Sequence, residues 1–125
     1  MLLLMRRYSI EDSTRPWTTN AERTWHHHKR ARMIKDTRER WFILARHAGV
    51  PKLNKIRVDV IPLAKDKRWR PDVGACYPTV KAAIDGMVDA GVIKDDNPEH
   101  LSSITFHAVQ VCGRDGLRLI VSEEA

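Results

Sequence analysis

The chain has 125 residues and a mass of 14.4 kDa, with 42% hydrophobic and 30% charged residues. This length predicts one domain, residues 1–125, which can bury a core without disulfides or metals, and the composition excludes a disordered chain. Lysine and arginine number 22 against 16 acidic residues, giving a formal charge of +6 and a pI of about 9.7. This excess suits a polyanionic partner such as nucleic acid, although many basic proteins bind none.

The opening segment, MLLLMRR, is apolar first and basic second, which is the reverse of a signal peptide. Its apolar run is far too short to span a membrane, so we interpret residues 2–10 as a first strand and expect a cytoplasmic protein. Cys76 and Cys112 form no Cys-x-x-Cys motif, and we expect two reduced thiols.

Two helices are predicted between the strands. The segment EDSTRPWTTNAERTWHHHK has no sustained period and predicts a loop, whereas residues 29–48 predict a helix that Gly49 and Pro51 end. A second helix follows at about 75–90 and ends at Gly91. The apolar residues expected near the inward face of the first helix are Ile34, Trp41, Leu44, Ala45 and Ala48. Those expected inward on the second are Val80, Ala83, Ile84, Met87 and Val88.

Three further strands complete the predicted fold. The alternation in KIRVDVIP, residues 55–62, predicts a half-buried strand with Arg57 and Asp59 pointing outward, followed by a loop at 63–73. Residues 103–112 and 117–123, separated by GRDG, predict a hairpin. The order β-α-β-α-β-β predicts an α+β fold, in which two main helices pack on one small mixed β-sheet.

Acidic residues flank the second predicted helix, with Asp72 before it and Asp95 and Asp96 after it. A helix of this length extends about 24 Å, so its two ends cannot meet. Asp96 approaches Asp72 only if the chain after the helix folds back along the edge of the sheet; otherwise these acids are turn and loop residues. Asp85 and Asp89, one turn apart, are expected to be charges on the helix surface.

Three consecutive histidines, His26 to His28, precede a helix rich in basic residues. Because successive side chains diverge, we favour a mildly basic surface loop near phosphate, with one histidine in the site, over a zinc site. The basic helix, flanked by Trp25 and Trp41, allows two interpretations. It is either a nucleic-acid contact or a solvated helix face, with Trp41 at core spacing.

Three segments together resemble the RusA-like Holliday-junction resolvases, especially those carried by phages and prophages of actinobacteria. RPWTTNAERTWH, residues 15–26, is similar to the family's early loop. KDKRWRPDVGACYPTVKAAIDGMVDAGVIKDD, residues 65–96, is similar to its core motif. That motif runs from arginines and a D-x-D-N, through a helix, to an aspartate pair. The predicted closing hairpin matches in position.

The resemblance implies an α+β homodimer in which each subunit cuts one strand of a four-way DNA junction with Mg²⁺, or with Mn²⁺ in its place. Carried over residue by residue, Asp72 and Asp96 hold the metal and act in catalysis, and Asp95 assists at the metal. Lys81 stabilises charge on the scissile phosphate. The residues expected to contact DNA are Arg68, Arg70, Asn20, His26, Lys29 and Arg30.

The chain departs from the family's pattern at Gly74 and Ala75, where the second motif aspartate and its asparagine fall. Two carboxylates suffice for one Mg²⁺, which keeps several waters. A two-ion mechanism needs a carboxylate shared between ions about 4 Å apart, which glycine cannot supply. Asp59 and Asp66 are the candidates for a replacement ligand.

Two classes of function therefore remain open. The first is a Mg²⁺-dependent, structure-selective endodeoxyribonuclease that acts on branched DNA, in the cytoplasm of the host bacterium if the protein is phage-encoded. The second is a binding protein on the same scaffold, which keeps the basic surface and the dimer but cuts poorly or not at all. In this second class, the binding partner is either DNA or a host protein. Neither class involves a membrane.

Overall fold

The computed structural model describes residues 5–124 and has the predicted α+β fold. The elements are, in chain order, β1 (Arg7–Asp12), α1 (Thr19–Glu22), α2 (His27–His47), β2 (Ile56–Ala64), α3 (Tyr77–Asp89), β3 (Leu101–Phe106), β4 (Gln110–Val111) and β5 (Gly116–Glu123). Residues 2–4 of the predicted first strand lie outside the described part of the chain. Among the helices of the described residues, each is too short or too polar to cross a membrane.

The sheet is mixed, with the order β1-β5-β2-β3, and β4 extends the β3 side by pairing with β2. β5 runs antiparallel to both β1 and β2, whereas β3 and β4 run parallel to β2. The predicted closing hairpin is therefore wrong, because β2 lies between its two supposed strands.

The connection between β4 and β5 shows why no hairpin forms. It crosses the end of β2, where the Cys112 backbone amide donates to the carbonyl of Ala64 at 3.0 Å. The Asp115 carboxylate accepts a hydrogen bond from the backbone amide of Lys65 at 2.8 Å. The polar groups of the connection are thus satisfied by the end of β2 and the residue after it, and no tight turn joins the flanking strands.

Helices α2 and α3 cover one face of the sheet. Val58 and Val60 of β2 point into this core and are fully buried, while Arg57 and Asp59 alternate with them on the opposite, polar face. The central members of the core are Trp41, Ile56, Val58, Val60, Val80, Ile84, Met87, Leu117, Leu119 and Val121. Trp41 is fully buried, as its spacing predicted.

The inward face of α2 differs from the predicted one. Its buried residues are Thr37, Trp41 and Ala45, which recur every fourth position. Ile34 is 37% exposed and Ala48 is exposed, so both were wrongly expected near the core. Ile34 instead borders a groove that is also lined by Tyr77 and Pro78 at the start of α3.

The two main helices approach each other closely at Gly86. A Cβ atom at this position would lie 2.4 Å from the carbonyl oxygen of Arg38 and 2.9 Å from Cβ of Trp41. Arg38 also donates a hydrogen bond to Asp89 at 2.8 Å, across the same contact. Glycine is therefore the residue that allows α3 to pack against α2.

The segment between β1 and α2 is anchored to the N-terminal half of α3. The backbone amide of Trp17 donates to Oγ1 of Thr79 at 2.9 Å, and the same hydroxyl donates to the Trp17 carbonyl at 3.0 Å. The Thr19 backbone amide donates to the carbonyl of Ala75 at 2.9 Å. The early loop, predicted without structure, thus contains the short helix α1 and lies beside the turn that precedes α3.

Candidate functional site

Lys81 is the centre of a charged cluster on α3. Its Nζ donates to Oδ1 of Asp85 at 3.0 Å, one turn along the helix, and also to Oδ2 of Asp96. The side chains of Lys81 and Asp96 are 45% and 29% exposed, so the pair lies at the surface and is open to a ligand. Two residues that the sequence proposed for catalysis are therefore in direct contact.

The charges of this cluster stabilise one another. Burial lowers the pKa of Lys81, but the hydrogen bonds to Asp96 and Asp85 outweigh it, and the net pKa lies above the ordinary value. The hydrogen bond from Lys81 holds the pKa of Asp96 below its usual range, against a smaller opposing effect of burial. Both side chains are therefore ionised at neutral pH.

Asp96 reaches Lys81 because the chain folds back after α3. Gly91 has a φ of 85°, which ends the helix, and the Val92 carbonyl accepts a hydrogen bond from the Leu53 backbone amide at 2.7 Å. Asp95 then holds the following residues in place, because its Oδ1 accepts from the Asp96 backbone amide at 2.8 Å and its Oδ2 accepts from the Asn97 side chain at 3.3 Å. The chain thus folds back as far as Lys81, and within residues 5–124 Asp96 makes no hydrogen bond to Asp72. Asp95 shapes the loop that presents Asp96.

Asp72 lies before α3 in a turn that Gly74 makes possible. The Ala75 backbone amide donates to the Asp72 carbonyl at 2.9 Å, and Gly74 has a φ of 86°, as the third residue of a type II turn requires. Within residues 5–124, the exposed carboxylate of Asp72 takes part in no hydrogen bond or ion pair. A Cβ at Gly74 would meet no atom within 4 Å, so the space beside it is open.

The acids do not assemble into a three-carboxylate cluster. Among the described residues, three candidate metal ligands come within 4.8 Å of one another at one place, formed by His26, His27 and His28. No carboxylate belongs to this group. Asp72 and Asp96 are both surface carboxylates, and their oxygens are the type of ligand that Mg²⁺ prefers. They do not fit a two-ion site.

The two candidate replacement ligands are engaged elsewhere. Asp59 Oδ1 lies 2.8 Å from His107 Nε2 on the polar face of the sheet, opposite the helices. Asp66 pairs with the side chain of Arg68 at 3.3 Å and accepts a hydrogen bond from its backbone amide at 2.9 Å. Asp59 is separated from Lys81 by the sheet itself, and Asp66 holds the basic loop in place.

The residues predicted to contact DNA lie in two groups. Arg68 and Arg70 are exposed on the loop after β2. Asn20, His26, Lys29 and Arg30 lie on α1 and at the start of α2. The early loop links the groups, because the Arg15 guanidinium lies 4.9 Å from the ring centroid of Trp69 and Trp17 packs against Trp25 at 5.7 Å.

A groove of about 320 Å³ runs between α1, α2 and α3 and ends at Lys81. Its lining residues are Thr19, Glu22, Ile34, Tyr77, Pro78 and Lys81. Tyr77 is 48% exposed and directly follows the turn at Gly74. Sequence reasoning missed Tyr77, although an aromatic residue in the first turn of a helix, beside basic residues, was the available signal.

The three histidines are closer together than the sequence predicted. Their ring centroids lie 4.1 Å apart for His26 and His27, 4.9 Å for His26 and His28, and 4.1 Å for His27 and His28. The expectation that successive side chains diverge is wrong here, because His26 has extended backbone (φ −63°, ψ 148°) while the next two residues are helical. The chain therefore changes direction within the run.

Both cysteines have free thiols, with Cys76 buried and Cys112 half-buried. Burial raises the pKa of Cys76 to about 11, which makes it a poor nucleophile. Catalysis by this thiol is thereby disfavoured, and the charged cluster around Lys81 remains the candidate site.

A scan of the chain against models of known protein families gives no match, and a search among curated proteins gives none either.

Proposed function

We propose that the protein is a Mg²⁺-dependent, structure-selective endodeoxyribonuclease that acts on four-way and other branched DNA in the cytoplasm. The observation that carries the proposal is the fold-back that brings Asp96 to Lys81. Both belong to the segment, residues 65–96, on which the resemblance to RusA-like resolvases rests. The contact joins an acid and a base at the protein surface, where both side chains are accessible to a phosphate.

Lys81 is suited to binding a phosphate beside Asp96. An ammonium group has three N–H donors, and two of them are directed to Asp85 and Asp96. The third is free to donate to a non-bridging oxygen of the scissile phosphate, where it stabilises developing negative charge. The two carboxylates hold the ammonium in place and keep it charged.

Asp72 and Asp96 are the residues that would hold Mg²⁺, with Asp95 supporting the loop of Asp96. The ion supplies Lewis acidity and a bound water of lowered pKa. The DNA backbone would be contacted by two groups of residues, the exposed arginines of the loop after β2 and the residues around α1 and the start of α2. These are Arg68, Arg70, Asn20, His26, Lys29 and Arg30. In a homodimer, the two-fold axis would relate two such sites, which matches the two-fold symmetry of a four-way junction.

A second candidate function is binding of branched DNA, or of a host protein, without efficient cleavage. The turn at Gly74 favours this second function. Glycine supplies no carboxylate that two metal ions could share, and its φ of 86° disfavours any residue with a side chain there. The basic surface and the exposed Tyr77 are unaffected by this loss. Such a protein retains affinity for junctions and lacks turnover.

One experiment separates the two functions. The protein is titrated into a fluorescent four-way junction without metal, and Mg²⁺ or Mn²⁺ is then added while the strands are followed on a denaturing gel. Binding followed by metal-dependent incision supports the nuclease. Binding with intact strands supports the second function, and no binding at low salt contradicts both DNA functions and favours a protein partner.

A further inference from the structure

The histidine cluster, defined as His26, His27 and His28, lies where the early loop meets α2. One ring nitrogen from each residue lies within 4.8 Å of the others, and all three side chains are exposed. In tetrahedral zinc sites the metal–nitrogen distance is about 2.0–2.1 Å, which places the ligand nitrogens about 3.4 Å apart. Rotation of three exposed side chains can close this difference.

The surrounding charges leave the rings accessible to a cation. The Lys29 ammonium lies 4.8 Å from the ring centroid of Trp25, and Arg30 pairs with Glu22 at 3.3 Å. The positive end of the α2 dipole opposes a cation, but this effect lowers an affinity by about fivefold or less. Binding by three nitrogen ligands raises the affinity for a metal ion by more than the helix dipole lowers it.

The ring of His26 has a competing role in the fold. Its Nδ1 accepts a hydrogen bond from the His28 backbone amide at 3.2 Å and so caps α2. A neutral imidazole has one nitrogen with a free lone pair, so this ring caps the helix or binds a metal, but does not do both. Metal binding therefore replaces a long hydrogen bond at the surface.

We propose that the histidine cluster binds one first-row transition-metal ion of the Ni²⁺, Cu²⁺ or Zn²⁺ type, with one nitrogen from each imidazole and water in the remaining positions. Imidazole suits these ions, whereas Mg²⁺ prefers oxygen ligands. The site is therefore distinct from the carboxylates near Lys81, and it does not depend on the nuclease proposal.

The test is calorimetric titration of the full chain with Ni²⁺ and with Zn²⁺ at pH 8, in a Cys112→Ser background that removes the more exposed thiol. We expect one ion per chain with a dissociation constant in the micromolar range. The pair His27→Ala and His28→Ala lowers the affinity at least about tenfold, as loss of two ligands requires. His47→Ala, an exposed histidine at the other end of α2, leaves the affinity unchanged.

His26→Asn distinguishes ligation from capping, because asparagine is a good N-cap and a poor ligand for these ions. We expect the melting temperature of this variant without metal to match that of the parent, while the Ni²⁺ affinity falls. Two results overturn the proposal: no saturable binding below about 100 µM, a concentration far above the expected range, or binding that the His27→Ala, His28→Ala variant retains.

Discussion

Gly74 occupies a left-handed turn beside open space, and this combination decides what an aspartate would do there. The φ of 86° strains any residue with a side chain, by about 1–2 kcal/mol. No atom lies within 4 Å of the position that Cβ would take, so steric overlap adds nothing. The strain is smaller than the effect of a bridging carboxylate on metal binding and catalysis.

Gly74→Asp, combined with Ala75→Asn, is expected to raise Mg²⁺-dependent cleavage of junctions and to lower stability by about 1–2 kcal/mol. The matched control is Gly74→Asn with Ala75→Asn, which imposes similar backbone strain without the charge. Cleavage rates of the two variants and the parent are compared at equal occupancy of the junction. Equal rates for the aspartate and asparagine variants would show that position 74 is not where a ligand was lost.

At the scale of elements, the contact between α2 and α3 depends on the absence of a side chain at Gly86. An added Cβ meets backbone and side-chain atoms of α2 at 2.4 and 2.9 Å, so the helices must separate. Gly86→Ala is expected to destabilise the protein by about 2 kcal/mol, although alanine has the better helix propensity by about 1 kcal/mol. Denaturant unfolding measures the change.

The control for this substitution is Gly91→Ala, which adds the same methyl group where nothing lies within 4 Å. Its φ of 85° makes the change unfavourable by about 1 kcal/mol through backbone strain alone. A larger loss of stability in Gly86→Ala than in Gly91→Ala, despite the better helix propensity of alanine and the absence of backbone strain at position 86, is therefore attributable to the helix contact. A stable Gly86→Ala protein would contradict the close approach of α2 and α3.

The ion pair between Arg38 and Asp89 joins the same helices and predicts a pH dependence. The hydrogen bond from Arg38 holds the pKa of Asp89 below its ordinary value of 3.8. The stabilisation is therefore fully present above pH 3.8 and is lost as the pH falls through the lower folded-state pKa. Because the Asp89 side chain is 38% exposed, solvent screening limits the contribution to less than about 1 kcal/mol.

Asp89→Asn is expected to lower the melting temperature slightly at pH 7, and this difference is expected to shrink as the pH falls below 3.8, because the folded-state pKa of Asp89 lies below that value. Asp36→Asn is the control, since this exposed acid of α2 forms no ion pair within residues 5–124. Thermal unfolding is followed from pH 2 to pH 7. An equal loss at both ends of this range would contradict the assignment.

At the scale of the whole molecule, the basic charge predicts salt-sensitive binding to branched DNA by a homodimer. A net charge of +6 favours phosphate contacts, and their affinity falls steeply with ionic strength because counterions are released. Light scattering is expected to give twice the mass of 14.4 kDa at micromolar concentration. A monomeric mass in both the free and the junction-bound protein would contradict paired incision.

The sequence predicted the elements better than their arrangement. Apolar periodicity located both main helices, and alternation identified β2, because these patterns reflect which side of an element is buried. Strand pairing carries no such local signal. The GRDG segment resembles a hairpin turn, yet Asp115 binds the backbone of Lys65, a contact between residues 50 positions apart.

The candidate site was predictable only in part. The resemblance to the RusA-like motif named Lys81 and Asp96, whereas their spacing left open whether the chain after α3 folds back. Tyr77 in the groove and the convergence of the three histidines were not predicted, because each depends on a local change of backbone direction. The structure was needed to exclude the two candidate replacement ligands. Asp59 faces His107 on the far side of the sheet from Lys81, and Asp66 is paired with Arg68.

The central claim is tested most directly by single-turnover cleavage of a synthetic four-way junction in Mg²⁺, with the parent and with Asp96→Asn at saturating protein. The account predicts paired incisions in opposing strands by the parent and a rate lower by about 10²-fold or more in the variant. Affinity for the junction without metal is expected to stay equal or to rise, because a negative charge near phosphate is removed. Cleavage by Asp96→Asn at the rate of the parent, or intact junctions with the parent in both Mg²⁺ and Mn²⁺, would contradict the account.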